Sequence, residues 1–159
     1  MLRTHWLGAQ EREYSLIQNF NELGLSPALV KSLDKAGFVT PTPIQAQAIP
    51  PQLQGRDILG IAQTGSGKTA GFTLPMIDIL ASGRARARMP RTLILEPTRE
   101  LAAQVSNAFE IYGKRHKLSM ALVIGGESMS DQERKLDRIM ATKPSNGDNR
   151  SLRHRVDGG

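Results

Sequence analysis

Residues Ala62-Gln63-Thr64-Gly65-Ser66-Gly67-Lys68-Thr69 decide how this chain is read. Before them, Asp57 to Ala62 is a short apolar run whose length and glycine-rich ending fit a buried parallel strand better than a helix. After them, the spacing predicts a helix from Gly67 to about Leu80, kinked at Pro75. Gly65 and Gly67 let the backbone fold around an anion with its N–H groups inward, where a Cβ would block the approach or forbid the dihedrals. The helix start adds unpaired N–H groups and the positive end of its dipole. In this setting Lys68 neutralises the β and γ phosphates of a nucleotide, and Thr69 places its hydroxyl on Mg²⁺. The usual phosphate-loop pattern opens with glycine, and here Ala62 stands in that position. The bland alternative is a tight turn that binds nothing, but GSGKT after a buried strand has no packing purpose.

Working outward, Ser26 and Pro27 open a short amphipathic helix that buries Leu29, Val30 and Leu33 and stops at Gly37. Pro43 opens a second, running to Leu53 and bent or ended near Pro50 and Pro51. Thr92 to Leu95 and Met120 to Ile124 are further strand candidates. Between them, Thr98 to Tyr112 has helical spacing through Leu101, Val105 and Phe109, stopped by Gly113. Ser130 with Glu133 forms a capping box for a last helix reaching about Ile139. Alternating strand and helix predicts an α/β fold with a mainly parallel sheet flanked by helices, its ligands at the carboxyl ends of the strands. Residues 1–19 read as a poorly ordered lead-in, 20–140 as the domain, and 141–159, with only Leu152 and Val156 as larger aliphatics, as a disordered tail. Arg84 to Arg91 reads as a basic surface loop.

Composition narrows the function classes. With 39% hydrophobic residues in 159, one compact domain can build a core. There is no apolar run approaching the roughly 20 residues of a membrane span and no secretory h-region, which predicts a soluble, cytoplasmic protein without membrane partners. Zero cysteines exclude disulfides and thiolate metal sites, and His5, His116 and His154 are too scattered for a metal cluster. Residues 1–80 balance six Lys/Arg against six Asp/Glu, whereas residues 81–159 carry fifteen against nine. The formal +6 therefore lies in the second half and suits either a polyanion partner or a solvated basic surface.

A family resemblance emerges when the flanking segments are added. Gly37-Phe38-Val39-Thr40-Pro41-Thr42-Pro43-Ile44-Gln45, with Phe20 upstream, resembles the Q motif of DEAD-box RNA helicases of bacterial type. Ala62 to Thr69 is similar to their motif I, Pro97-Thr98-Arg99-Glu100-Leu101-Ala102 to motif Ia, and Gly125-Gly126 to the GG motif. The resemblance implies a RecA-like ATP-binding domain. It assigns the nucleotide, as ATP with Mg²⁺, to Phe20, Phe38, Gln45, Thr64, Gly65, Ser66, Gly67, Lys68 and Thr69, with Thr69 reaching the metal. It assigns the RNA sugar-phosphate backbone to Thr98, Arg99, Gly125 and Gly126. Physical chemistry agrees. The amide of Gln45 offers a donor and an acceptor to the N6 and N7 edge of adenine, and Phe38 can stack on its face. Backbone contacts are independent of sequence and sensitive to salt. Taken singly, Phe38 also reads as a core aromatic, Gln45 as a helix-surface residue, Thr98 as a plain N-cap and Gly125-Gly126 as a plain turn.

The sequence also departs from that family. The TPGR motif, the Asp-Glu-Ala-Asp motif, the Ser-Ala-Thr motif and a second RecA-like domain have no counterpart, and no two acidic residues are adjacent. By this reading the resemblance stops near Arg138, which suggests a truncated or frameshifted product with no complete catalytic set. An inactive helicase remnant is the favoured expectation. A piece completed by a second chain and a stand-alone nucleotide- or RNA-binding module remain open, whereas a phosphate-loop kinase or GTPase leaves Phe38 and Gln45 unexplained.

Overall fold

A computed structural model describes residues 17–83, 90–116 and 118–141. Most of the expected lead-in (1–16), most of the Arg84 to Arg91 loop and the tail from 142 onward lie outside the described residues. A 3-10 turn, Phe20–Leu23, precedes α1 (Pro27–Lys35), α2 (Pro43–Leu53), α3 (Lys68–Ser82), α4 (Arg99–Gly113) and α5 (Met129–Ala141).

The local sequence explains where these helices start and stop. Pro27 and Pro43 occupy first-turn positions, where a missing N–H costs nothing. At the end of α1, Gly37 adopts φ +81°, the Phe38 N–H returns to the Leu33 carbonyl at 3.0 Å, and the Gly37 N–H returns to Asp34 at 3.1 Å. This pair of bonds closes the helix as the glycine stop predicts. The helix α2 runs from Pro43 through Pro50 and Pro51 and ends at Leu53, the bounds expected. The two prolines forgo the bonds to the Ala46 and Gln47 carbonyls, and the helix ends two residues after Pro51. The helix α5 begins at Met129, with the Gln132 N–H donating to the Ser128 carbonyl at 3.2 Å. Ser130 thus lies inside the first turn, its hydroxyl 2.9 Å from that of Ser128, and does not open the helix as expected.

The core sits where α2, α3 and α4 meet beneath α1. Leu29, Leu33, Ile49, Leu74 and Ile77 are fully enclosed, together with Phe20 and Leu23 of the 3-10 turn. Gly71 of α3 faces Gln45 of α2, at a distance where a Cβ would make ordinary contact. Asp78 of α3 accepts from the Ser26 N–H at 3.0 Å and ties the start of α1 to the core.

The sheet is the main departure from expectation. Among the described residues no strand is formed, and the segments 57–62, 92–95 and 120–124 run without ladder pairing. The alternation of a strand is nonetheless visible. Leu93 and Leu95 are 78% and 82% exposed while Ile94 between them is half-buried, and Leu59 and Ile61 are 88% and 85% exposed. Side-chain period is local, but a ladder needs a neighbour at the right spacing. These three segments do not supply one another with neighbours, so their outer faces stay open.

Candidate functional site

The glycine turn is built on two positive-φ glycines at the start of α3. Gly65 and Gly67 take φ +79° and +90°, and Gly67 is the residue that caps α3. A side chain at Gly67 is excluded by space as well as by dihedral, because its Cβ would fall 2.5 Å from Nε2 of Gln45 and 3.0 Å from Oγ1 of Thr42. At Gly65 nothing lies within 4 Å, so there only the dihedral asks for glycine. The Lys68 ammonium folds back onto the loop and donates to the carbonyls of Ala62 and Gln63, the latter at 2.9 Å. An ammonium has three donors, so one is left to face an incoming phosphate. Thr64 and Gly65 are exposed, and Ser66, Gly67, Lys68 and Thr69 are half-buried.

Gln45 is pinned to this cradle. Its side chain is buried, accepts from the Thr42 N–H at 2.9 Å and donates to the Gly67 carbonyl at 3.1 Å. Each polar atom of the carboxamide keeps one further bonding position, so the donor and acceptor needed for a base edge are still present. Thr42 Oγ1 and Ser66 Oγ, one beside Gly67 and one within the turn, are buried without hydrogen-bond partners. The cradle is marked by Gly67, where an added Cβ would strike Gln45, and by the Lys68 ammonium folded over the turn. The residues therefore fit a nucleotide polyphosphate, and the Thr69 hydroxyl, which accepts from Gln104 at 3.2 Å, fits the metal that accompanies one.

The two aromatics are separated. Phe38 is half-exposed and meets Tyr112 edge to face, with centroids 5.6 Å apart at 82°. Burial pushes the Tyr112 phenol above its ordinary pKa. Phe20 is 2% exposed and packs in the core, away from the cradle surface.

The second group of predicted residues does come together. Thr98 caps α4 by accepting from the Leu101 N–H at 3.3 Å. The backbone N–H of Glu100 and, second to it, the Thr98 hydroxyl hold the Glu100 carboxyl below the usual range. Arg99 reaches Gly126, where an added Cβ would lie 3.3 Å from the guanidinium, and Gly126 has φ +87°. Motif Ia and the glycine pair, 27 positions apart in sequence, thus share one surface. The sequence reading missed Gln104, which touches Thr69, and Gln132, which is buried behind Gly125-Gly126. A lone glutamine on a helix carries no periodic or motif signal that would single it out. Open clefts elsewhere, such as one of about 490 Å³ lined by Glu127, Ser128, Asp131, Arg134 and Lys135, lie away from the cradle.

Comparison with known proteins agrees with this geometry. The profile of the DEAD/DEAH box helicase family matches residues 42–149. This chain belongs to that family. The match runs from the Q-motif threonine to residue 149, so the resemblance does not stop near Arg138 as expected. Over 122 residues the DEAD/DEAH box chain is 43% identical to the ATP-dependent rRNA helicase RRP3 of Ajellomyces capsulatus, covering 77% of this chain and 24% of that protein. It is 45% identical over 113 residues to the ATP-dependent RNA helicase DBP10 of Pyricularia oryzae, covering 71% and 12%. The chain spans about a quarter of the length of the RRP3 relatives it matches. These relatives are fungal, so a bacterial type finds no support.

Among solved structures, the DEAD box protein of Methanococcus jannaschii aligns with TM-score 0.64 and 37% identity over 74% of this chain and 32% of its own. The RNA-helicase Prp28 of Chaetomium thermophilum bound to ADP aligns with TM-score 0.66 and 38% identity over 72% and 28%. The fold is accordingly RecA-like, with its helices in place and its sheet not laid down among the described residues.

Proposed function

We propose that this chain is the ATP-binding part of the first RecA-like domain of a DEAD-box RNA helicase, and that it grips RNA through the sugar-phosphate backbone. The observation that carries this reading is the hydrogen bond from Gln45 to Gly67, which couples the base-reading amide to the phosphate cradle. Bound there, ATP with Mg²⁺ supplies the phosphoryl group and the metal charge that balances it.

The chain's own residues bind and orient. The turn N–H groups of Gly65, Gly67 and Lys68 at the start of α3 receive the phosphates, Lys68 offers its remaining donor, and Thr69 presents its hydroxyl to the metal. Gln45 offers its remaining donor and acceptor to adenine, and Phe38 offers the exposed part of its ring. Thr98, Arg99, Gly125 and Gly126 form a separate surface for RNA phosphates, which explains a grip without base preference.

A second reading is favoured by Leu59, Ile61, Leu93 and Leu95, whose exposure suits a piece completed by another chain that carries the acidic motif and the missing strands. The RNA half of the proposal is tested by fluorescence anisotropy with a labelled single-stranded oligouridylate over a salt series. Binding should weaken steeply with salt, and Arg99→Ala should lower the slope by about one. A wild-type chain that binds no RNA, or an unchanged slope in the variant, would contradict it.

A further inference from the structure

Gln132 lies in the first turn of α5, is 4% exposed, and spends its whole carboxamide on the segment that ends in the glycine pair. The Ile124 N–H donates to Oε1 at 3.0 Å, and Nε2 donates back to the Ile124 carbonyl at 3.0 Å. Nε2 also reaches the Glu127 carbonyl at 3.4 Å. A neighbouring strand would satisfy the same two groups of Ile124, and here a side chain does so.

The consequence falls on Gly125 and Gly126, which sit between the two anchored residues. A Cβ at Gly125 would meet nothing within 4 Å, so that side of the turn is open. The two bonds from Gln132 to Ile124 hold it at its entry, and the longer contact to the Glu127 carbonyl lies at its exit. A phosphate bridging the turn and the Arg99 guanidinium requires the two to keep their spacing, since such contacts set position and register.

We propose that Gln132 is a positioning residue for the RNA backbone: buried behind Gly125-Gly126, it fixes that turn beside Arg99 without touching RNA itself. This inference rests on the proposed RNA surface and goes beyond it by naming what holds that surface in shape.

The chemistry suggests a test by Gln132→Glu in the full chain. As a carboxylate, the new side chain has no donor for the Ile124 carbonyl and faces it with charge. As a neutral acid, its O–H donates to that carbonyl and its C=O accepts from the Ile124 N–H, which restores both bonds. Burial raises the pKa of such a group, so the neutral form is accessible in mild acid. The charged groups nearby, Glu127 paired with Lys135, Asp131 paired with Arg134, and Arg99, are common to both proteins. The ratio of variant to wild type therefore isolates the substituted group.

With labelled oligouridylate as the probe, Gln132→Glu should weaken binding about tenfold at pH 7.5 and regain most of the wild-type affinity near pH 5. Gln132→Met should lose a similar factor at both pH values, and ATP binding should be unaffected in both variants. Equal RNA binding by wild type and Gln132→Glu at pH 7.5, or a loss that mild acid does not repair, overturns the proposal and leaves the RNA surface standing. Absence of RNA binding by the wild-type chain overturns the proposal and the surface together.

Discussion

The side-chain amide of Gln52 donates to the main-chain carbonyl of Gly71 at 2.9 Å. That carbonyl would normally receive the N–H four residues on, but the residue there is Pro75, which has none. Gln52 thus supplies from α2 the donor that α3 cannot make for itself, and also donates to the Ala48 carbonyl at 2.8 Å. Gln52→Met keeps the length of the side chain and removes the donor, leaving an unsatisfied carbonyl between packed helices. Urea unfolding should show a loss of about 1 to 3 kcal/mol. An unchanged midpoint would mean that water serves the carbonyl equally well.

A contrast between two glycines separates space from dihedral. Gly65→Ala meets no atoms and bears only the cost of its positive φ, about 1 to 2 kcal/mol. Gly67→Ala bears that cost and also drives a methyl to 2.5 Å from Nε2 of Gln45, displacing the amide from the cradle. Nucleotide affinity should fall further for Gly67→Ala than for Gly65→Ala, as measured by displacement of a fluorescent ATP analogue. Equal losses would show that the contact between Gln45 and Gly67 is dispensable.

Much of the helical frame is legible from local chemistry. Gly37, Pro27, Pro43 and Gly113 mark boundaries close to those observed, because caps and first-turn prolines act within a few residues. The cradle is legible for the same reason, since Gly65 to Thr69 carries its own conformation. The sheet is not. Leu93, Ile94 and Leu95 alternate as a strand should, but whether a ladder forms depends on partners distant in sequence, which no window over residues 92–95 contains. Gln52, Gln104 and Gln132 also escape a sequence reading, because each acts on a backbone or hydroxyl group brought near only by folding. Phe20 reads as a motif aromatic at the nucleotide, and the fold puts it in the core.

The open faces of residues 58–61 and 93–95 predict self-association. Fully burying one such aliphatic side chain is worth about 1.5 to 3 kcal/mol, and four of them are left facing outward. Light scattering during thermal unfolding should show particle growth that rises with protein concentration, and Leu93→Lys with Leu95→Lys should suppress it. A sharp, cooperative and monomeric transition would contradict this account.

The chain alone should not turn over ATP. Lys68 and Thr69 hold one side of the phosphates, but phosphoryl transfer also needs carboxylates that orient the metal and water, and a cation on the transferring group. Losing an arginine of that kind alone costs about 10³ to 10⁵ in rate. Phosphate release with and without RNA should match that of Lys68→Ala. RNA-stimulated release abolished by that substitution would show that the catalytic set is complete within these 159 residues.

Titration calorimetry of the purified chain with ATP and Mg²⁺ tests the central claim most directly. The cradle predicts saturable, weak, one-to-one binding of ATP, at least about fivefold weaker binding of GTP because Gln45 reads the adenine edge, and loss of both in Lys68→Ala. Equal heats for ATP and GTP, or an unchanged ATP isotherm in Lys68→Ala, would contradict it.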